Sequence, residues 1–231
     1  LKGLISEGKP KAVRPFVFFG REPMAGRRIL VQLAHPVLER SRVNRRLAEA
    51  ARQVEGVVVN DLYEVYPSLR IDVRREQRLL VEHDVIVFQH PFYWYSVPAI
   101  LKEWQDLVLE HNWAYGSKGH HLDGKLTLNA LSTGGPQEAY REGGSNRFTI
   151  RQLLAPWEAT ARLCRMRFLA PFTVHAALRL ETAEQVEPHV CDYQRLLEAL
   201  RDDELDVERA AQAERLNAPL EAVLKRGEER S

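Results

Sequence analysis

The 231 residues suffice for one sizeable hydrophobic core or two small ones. Lys and Arg total 33 against 32 Asp and Glu, a net charge of +1, so no global field steers the chain to nucleic acid or a membrane surface. No apolar stretch nears the roughly 18 residues that span a bilayer, and Cys164 and Cys191 form neither a disulfide framework nor a zinc-ligand pattern.

Residues 1–28 carry seven basic side chains against Glu7 and Glu22, with FVFFG their only apolar run. They read as a basic extension, 1–27, outside the core fold and without the apolar region of a secretion signal. RILVQLA (28–34) is a short β run closed by His35-Pro36. Val43, Leu47, Ala50, Ala51 and Val54 follow a helical period across 42–54, and Gly56 stops that helix before the strand VVVNDL (57–62). A second helix is predicted over 72–82 and a third strand over 84–89. A third helix follows over 98–109, with Pro98 tolerated in its first turn. KLTLNALS (125–132) alternates as a fourth strand. A fourth helix over 149–163 runs through Pro156, a short fifth strand lies near 165–169, and a last core helix spans 182–201. Residues 202–231 form a charged extension broken at Asn217-Ala218-Pro219, expected to make two short helices that pack loosely or serve a partner.

Strands and helices alternate five times, and the strands read as apolar throughout. That pattern predicts an α/β fold, a doubly wound five-stranded parallel sheet with helices on both faces across 28–201. Ligands in such folds sit at the carboxyl ends of the strands. Three unusual stretches fall at those ends. After the first strand, AHPVLERSRVN (34–44) has no glycine-rich nucleotide loop, but it brings His35 and Ser41 to a helix start. It suits a phosphate, or Ser41 is simply an N-cap. After the third strand, HPFYWYSVP (90–98) masses aromatics that suit a flat heterocycle, a dimer interface or a packed lid. After the fourth, STGGPQEAY (132–140) supplies Gly-Gly, whose amides can approach a ligand closely, flanked by Thr133 and Tyr140.

HPFYWYSVPAILKEWQD, WAYG at 113–116 and the STGG…Y run together resemble the flavodoxin-like NAD(P)H:quinone oxidoreductases. Within them the chain is most similar to the ancillary quinone reductases of glutathione-regulated potassium-efflux antiporters, from about Arg28 to Arg201. The resemblance implies FMN, with FAD as the form used by animal relatives, and NAD(P)H as co-substrate reducing a quinone by two-electron hydride transfer. It implies that His35, Ser41 and Asn44 lie at the flavin phosphate and ribityl end. Pro91, Phe92, Tyr93, Trp94 and Tyr95 would line the ring system, and Thr133, Gly134 and Gly135 would meet its N1/O2 side through hydroxyl and backbone N–H. Tyr140 would help to stabilise charge on the reduced cofactor, and Tyr115 would wall the substrate pocket across a homodimer interface.

One departure stands out. The family commonly has a histidine six residues after the tyrosine, and here that position is Asn146, which hydrogen-bonds but takes up no proton near neutral pH. The expected catalytic edge is therefore Tyr140, Gly134, Gly135 and Asn146. No partners are evident for His83, His175 and His189. The resemblance also implies a cytoplasmic protein, with docking on a potassium/proton antiporter at the inner membrane as the alternative role. No metal and no nucleic acid are expected.

Overall fold

The computed structural model describes residues 26–217 and 219–225, so the basic extension expected over 1–27 lies almost wholly outside the described residues. One parallel sheet organises the chain. Its strands are β1 (Ile29–Leu33), β2 (Val57–Asp61), β3 (Val85–Pro91), β4 (Leu126–Ser132), β5 (Arg167–Phe168) and β6 (Phe172–Val174). The order is β2-β1-β3-β4-β5, with β6 pairing further along β4. The strand expected over 165–169 is β5, and β6 is a further short strand just beyond it. Pro171 has no amide hydrogen to offer, and the Ala170 amide turns away to Ala210 O at 2.9 Å, so the ladder breaks between them.

The helices are α1 (Arg42–Ala51), α2 (Leu62–Val65), α3 (Val73–Glu82), α4 (Ala99–Val108), α5 (Ile150–Leu153), α6 (Ala155–Leu163), α7 (Ala183–Arg201) and α8 (Val207–Gln212). On one face of the sheet, Leu47 of α1 and Val190, Tyr193 and Leu197 of α7 pack with Val31, Val87 and Leu128. On the other, Leu80 of α3, Ile100 and Trp104 of α4 and Trp157 of α6 pack with Leu30, Ile86 and Phe88. Each such side chain contributes about 1.5–3 kcal/mol on burial. The single helix expected over 149–163 is divided at Leu154. Thr149 and Gln152 form a capping box that starts α5, and Pro156 sits in the first turn of α6, where it removes no intrahelical bond.

Two further expectations change. The strands are not apolar throughout: Gln32, Asn60, Asp61, Gln89, His90 and Asn129 are buried in them. Several of these serve Glu76, a fully buried carboxylate on α3. It accepts from Gln32 Nε2 (2.7 Å), Asn60 Nδ2 (3.0 Å), Tyr66 OH (2.7 Å), Trp104 Nε1 (2.9 Å) and Arg75 Nη1 (2.5 Å). The carboxyl-terminal segment, for its part, does not pack loosely. Leu205, Ala210, Leu216, Leu220 and Val223 are buried in the core beside α1 and α7. The Asn217 side-chain amide pairs with the backbone of β6, accepting from Thr173 N (3.2 Å) and donating to Thr173 O (3.0 Å). Among the described residues, no helix is long and apolar enough to cross a membrane.

Candidate active-site cleft

The register places the carboxyl ends of the strands side by side, with Leu33 opposite Gln89, Pro91 opposite Ser132, and Ser132 opposite Val174. The strand order reverses between β1 and β3, and the crevice there is where such folds take ligands. A cleft of about 510 Å³ opens at that edge, within the roughly 300–1,000 Å³ of small-molecule sites. The void between Phe88, Trp104 and Trp157, at about 10 Å³, has no room for a ligand.

The first wall is the start of α1. Ser41 caps the helix by accepting from the Asn44 amide at 3.1 Å, so it is an N-cap and also lines the cleft. Gln89 holds the same turn by donating to Asn44 O at 2.8 Å. Asn44 Nδ2 donates to Ser132 Oγ at 2.8 Å, while Asn44 Oδ1 is buried with no hydrogen-bond partner. His35 Nδ1 accepts from the Val37 amide at 3.2 Å, which leaves Nε2 as a donor. Burial lowers the His35 pKa, opposed by nearby Glu39, so the ring is neutral at pH 7. Arg40 and Arg42 complete this end. Helix N–H groups, two arginines and a ring N–H form a donor set suited to an anionic phosphate.

The second wall is the aromatic run. Pro91 ends β3 and Phe92 N donates to Ser132 O at 2.8 Å, which ties the run to the neighbouring strand. Phe92 is mostly core, its ring 6.5 Å from that of Tyr140, and Tyr93 meets the His35 ring edge-on at 6.2 Å. Trp94 and Tyr95 hold φ of 52° and 61°, a left-handed conformation that costs a non-glycine residue on the order of 1 kcal/mol. Trp94 is 93% exposed at the rim. Pro91, Phe92, Tyr93 and Trp94 all line the cleft; Tyr95 turns instead to Asn146, donating to Oδ1 at 3.1 Å.

The third wall is the turn after β4. Thr133 and Gly134 line the cleft. The Thr133 amide donates to Val174 O at 2.9 Å and its hydroxyl donates to Gly135 O at 2.8 Å. Both donors are therefore committed inside the protein, and the expectation that this hydroxyl donates to a cofactor gives way to an acceptor role. Gly135 carries the Tyr140 ring: a Cβ there would sit 3.2 Å from Tyr140 Cε2. Burial raises the Tyr140 pKa, against hydrogen bonds to Thr133, Asn146 and the Gly135 backbone. Tyr140 and Asn146 thus stand behind the turn, one layer from the cleft. Tyr115 is elsewhere, its ring edge-on to His111 at 5.4 Å, and no recorded contact among the described residues joins it to the cleft.

Sequence reasoning missed Ser132, Arg40, Arg42, Ala177 and Leu178, which complete the walls. It also missed His175, whose Nδ1 lies 3.2 Å from Thr133 Oγ1 and whose ring lies 5.6 Å from that of Tyr140. The signal available was position: Val174 and His175 stand at the end of a strand, opposite the STGG turn.

Parallel order 2-1-3-4-5 with a cleft at the switch point defines a flavodoxin-like ligand-binding domain. The chain belongs to the family described as Flavodoxin-like fold, whose sequence model matches residues 27–197. It is similar to the glutathione-regulated potassium-efflux system ancillary protein KefG of Serratia proteamaculans, 47% identical over 72% of this chain and 90% of the relative. Among solved structures it is similar to general stress protein 14 of Treponema denticola in complex with FMN, with TM-score 0.71, 40% identity, and coverage of 75% of this chain and 99% of that one. It is also similar to an NADPH-quinone reductase from P. pentosaceus, with TM-score 0.67, 33% identity, and coverage of 73% and 96%.

Proposed function

We propose that the chain is an FMN-dependent NAD(P)H:quinone oxidoreductase. The observation that carries this reading is a single cleft with an anion-binding helix start at one end and an aromatic wall facing a Gly-Gly turn at the other. The fit to FMN rests on this chain's own groups. The buried Asn44 Oδ1 lacks a donor, which a polyhydroxylated chain supplies. The helix start, with the His35 Nε2 donor, suits the phosphate. FMN when bound accepts hydride from NAD(P)H and passes it to a quinone.

The protein's part is to hold and to exclude. Ser41, Asn44 and His35 anchor the phosphate and ribityl end, with Arg40 and Arg42 neutralising charge. Pro91, Phe92, Tyr93 and Trp94 give the ring system an apolar wall. The backbone at Gly134 and Gly135 offers donors where negative charge accumulates on reduction, in the manner of an oxyanion hole. Burial raises the Tyr140 pKa and keeps its phenol protonated. Tyr95 and Phe148 are exposed, and a second copy of the chain seated against them, with Trp94 left open to solvent, supplies its own Tyr115 to the substrate pocket.

Purified protein should release FMN identifiable by mass and should oxidise NADH or NADPH with a quinone acceptor. Bound flavin with no turnover against a panel of quinones overturns the enzyme reading. The resemblance to KefG favours a second role, docking on a potassium/proton antiporter with turnover secondary. Co-purification with an antiporter by a variant unable to bind flavin separates the two.

A further inference from the structure

His175 follows β6, and its surroundings fix the state of its ring. Thr133 Oγ1 has one proton, and the Gly135 carbonyl at 2.8 Å can only accept it. The contact from Thr133 Oγ1 to His175 Nδ1 at 3.2 Å therefore requires the histidine to be the donor, as its Nδ1–H tautomer. A lone pair of the hydroxyl then receives His175 Nδ1–H.

The backbone repeats the connection. Thr133 N donates to Val174 O (2.9 Å), Ala176 N to Gly135 O (2.9 Å) and Ala177 N to Thr133 O (2.8 Å). The strand end that bears His175 thus grips the cleft-lining turn at three backbone points and one side-chain point. Arg215 from the carboxyl-terminal segment, Glu138 from the loop after the turn and His189 from α7 are the charged and titratable groups around it. Burial, then Arg215, lower the His175 pKa to about 4, with Glu138 opposing and His189 adding to the fall. The ring is neutral at pH 7, as a fixed single-tautomer donor requires.

We propose that His175 is a positioning residue for the cleft, donating Nδ1–H to Thr133 Oγ1 and so fixing the Thr133–Gly135 turn. It touches no ligand itself; it acts through Thr133. This assignment rests on the FMN reading only for its consequence, because the tautomer is a property of the protein alone.

The tautomer is tested on the full chain without flavin, by the ring-nitrogen NMR shifts of His175. Protonated Nδ1 and bare Nε2 from pH 7 down to about pH 5 is the expected result, and an Nε2–H tautomer overturns the proposal. The consequence is tested by titrating FMN against wild type, His175→Leu and His175→Asn. Loss of one such bond corresponds to roughly a five- to tenfold change in affinity, expected for His175→Leu. Asn, whose side-chain N–H can replace the Nδ1 donor, should return to within about twofold of wild type. Leu and Asn variants with similar melting temperatures and equal FMN affinities overturn the positioning role. So does a His175→Leu variant that binds FMN like wild type. If wild type itself binds no FMN, the cofactor reading fails and the NMR result alone decides the tautomer.

Discussion

Trp94 shows how far one side chain's exposure can part from its role. It is almost fully exposed in a left-handed conformation, so the fold gains little from it. Trp94→Ala should leave the melting temperature almost unchanged, a stability change within about 0.5 kcal/mol. FMN affinity should fall by roughly an order of magnitude from lost stacking and burial. Retained affinity with a collapsed melting temperature would place the indole in the core instead. His90 is the opposite case, fully buried a few residues away. Its Nδ1 donates to Pro91 O at 3.0 Å and its Nε2 accepts from Asn129 Nδ2 at 3.0 Å, an arrangement of the neutral ring. Burial depresses its pKa to about 4, against a small opposing effect of the Pro91 carbonyl. An unfolded histidine titrates near 6.5, so between about pH 6.5 and 4 the unfolded chain binds more protons than the folded one. Stability present above that window is lost as pH falls through it, by up to about 3 kcal/mol from His90. Urea midpoints at pH 7 and pH 5 measure the loss, and His90→Asn should shrink the difference. Equal midpoints for wild type at the two pH values would refute it.

At the scale of elements, Glu76 is the tie between layers. Its five donors come from β1, β2, the loop after α2, α3 itself and α4. Glu76→Ala leaves the buried Gln32, Tyr66 and Trp104 donors without this acceptor, while Asn60 Nδ2 keeps Gln32 Oε1 and Arg75 keeps Asn60 Oδ1, and should cost about 3–5 kcal/mol, read by chemical denaturation. Glu76→Gln keeps one acceptor oxygen and should cost less; equal losses would mean that volume, not acceptance, matters. The elements themselves were largely legible, because apolar periodicity and capping residues such as Ser41, Asp72 and Thr182 act locally. The failures have physical causes. Pro156 falls in the first turn of a separate helix, α6, where a single helix was expected. Pro171, with no amide to offer, separates β5 from β6. Gln32, Asn60 and Gln89 sat unnoticed in apolar runs, since a polar residue that finds its partner in a distant element leaves no local signal.

For the whole molecule, the carboxyl-terminal segment is part of the structure that holds the cleft. It lies beyond the family match at 27–197, yet Leu216 is fully buried, its amide donates to Pro171 O at 2.9 Å, and Asn217 closes the edge of β6. Leu216→Ala should cost about 2–4 kcal/mol in a thermal or urea melt, and an unchanged melt would show that the segment merely rests on the core. Its charged composition hid this, because its few apolar residues are spaced too irregularly for a periodicity. The cleft walls were legible because they lie on three short stretches. His175 was not, since only the assembled sheet brings it to that edge.

The four tryptophans differ in surroundings. Trp104 and Trp157 are buried, Trp113 stacks on His121 at 5.0 Å, and Trp94 stands in water at the mouth of the cleft. Their emission should separate accordingly, with the reddest component belonging to Trp94 and open to a soluble quencher such as iodide. A bound aromatic ligand should extinguish that component first while the buried indoles continue to report the folded state. The chain therefore carries a label-free optical gauge of its own occupancy, and Trp94→Phe supplies the blank.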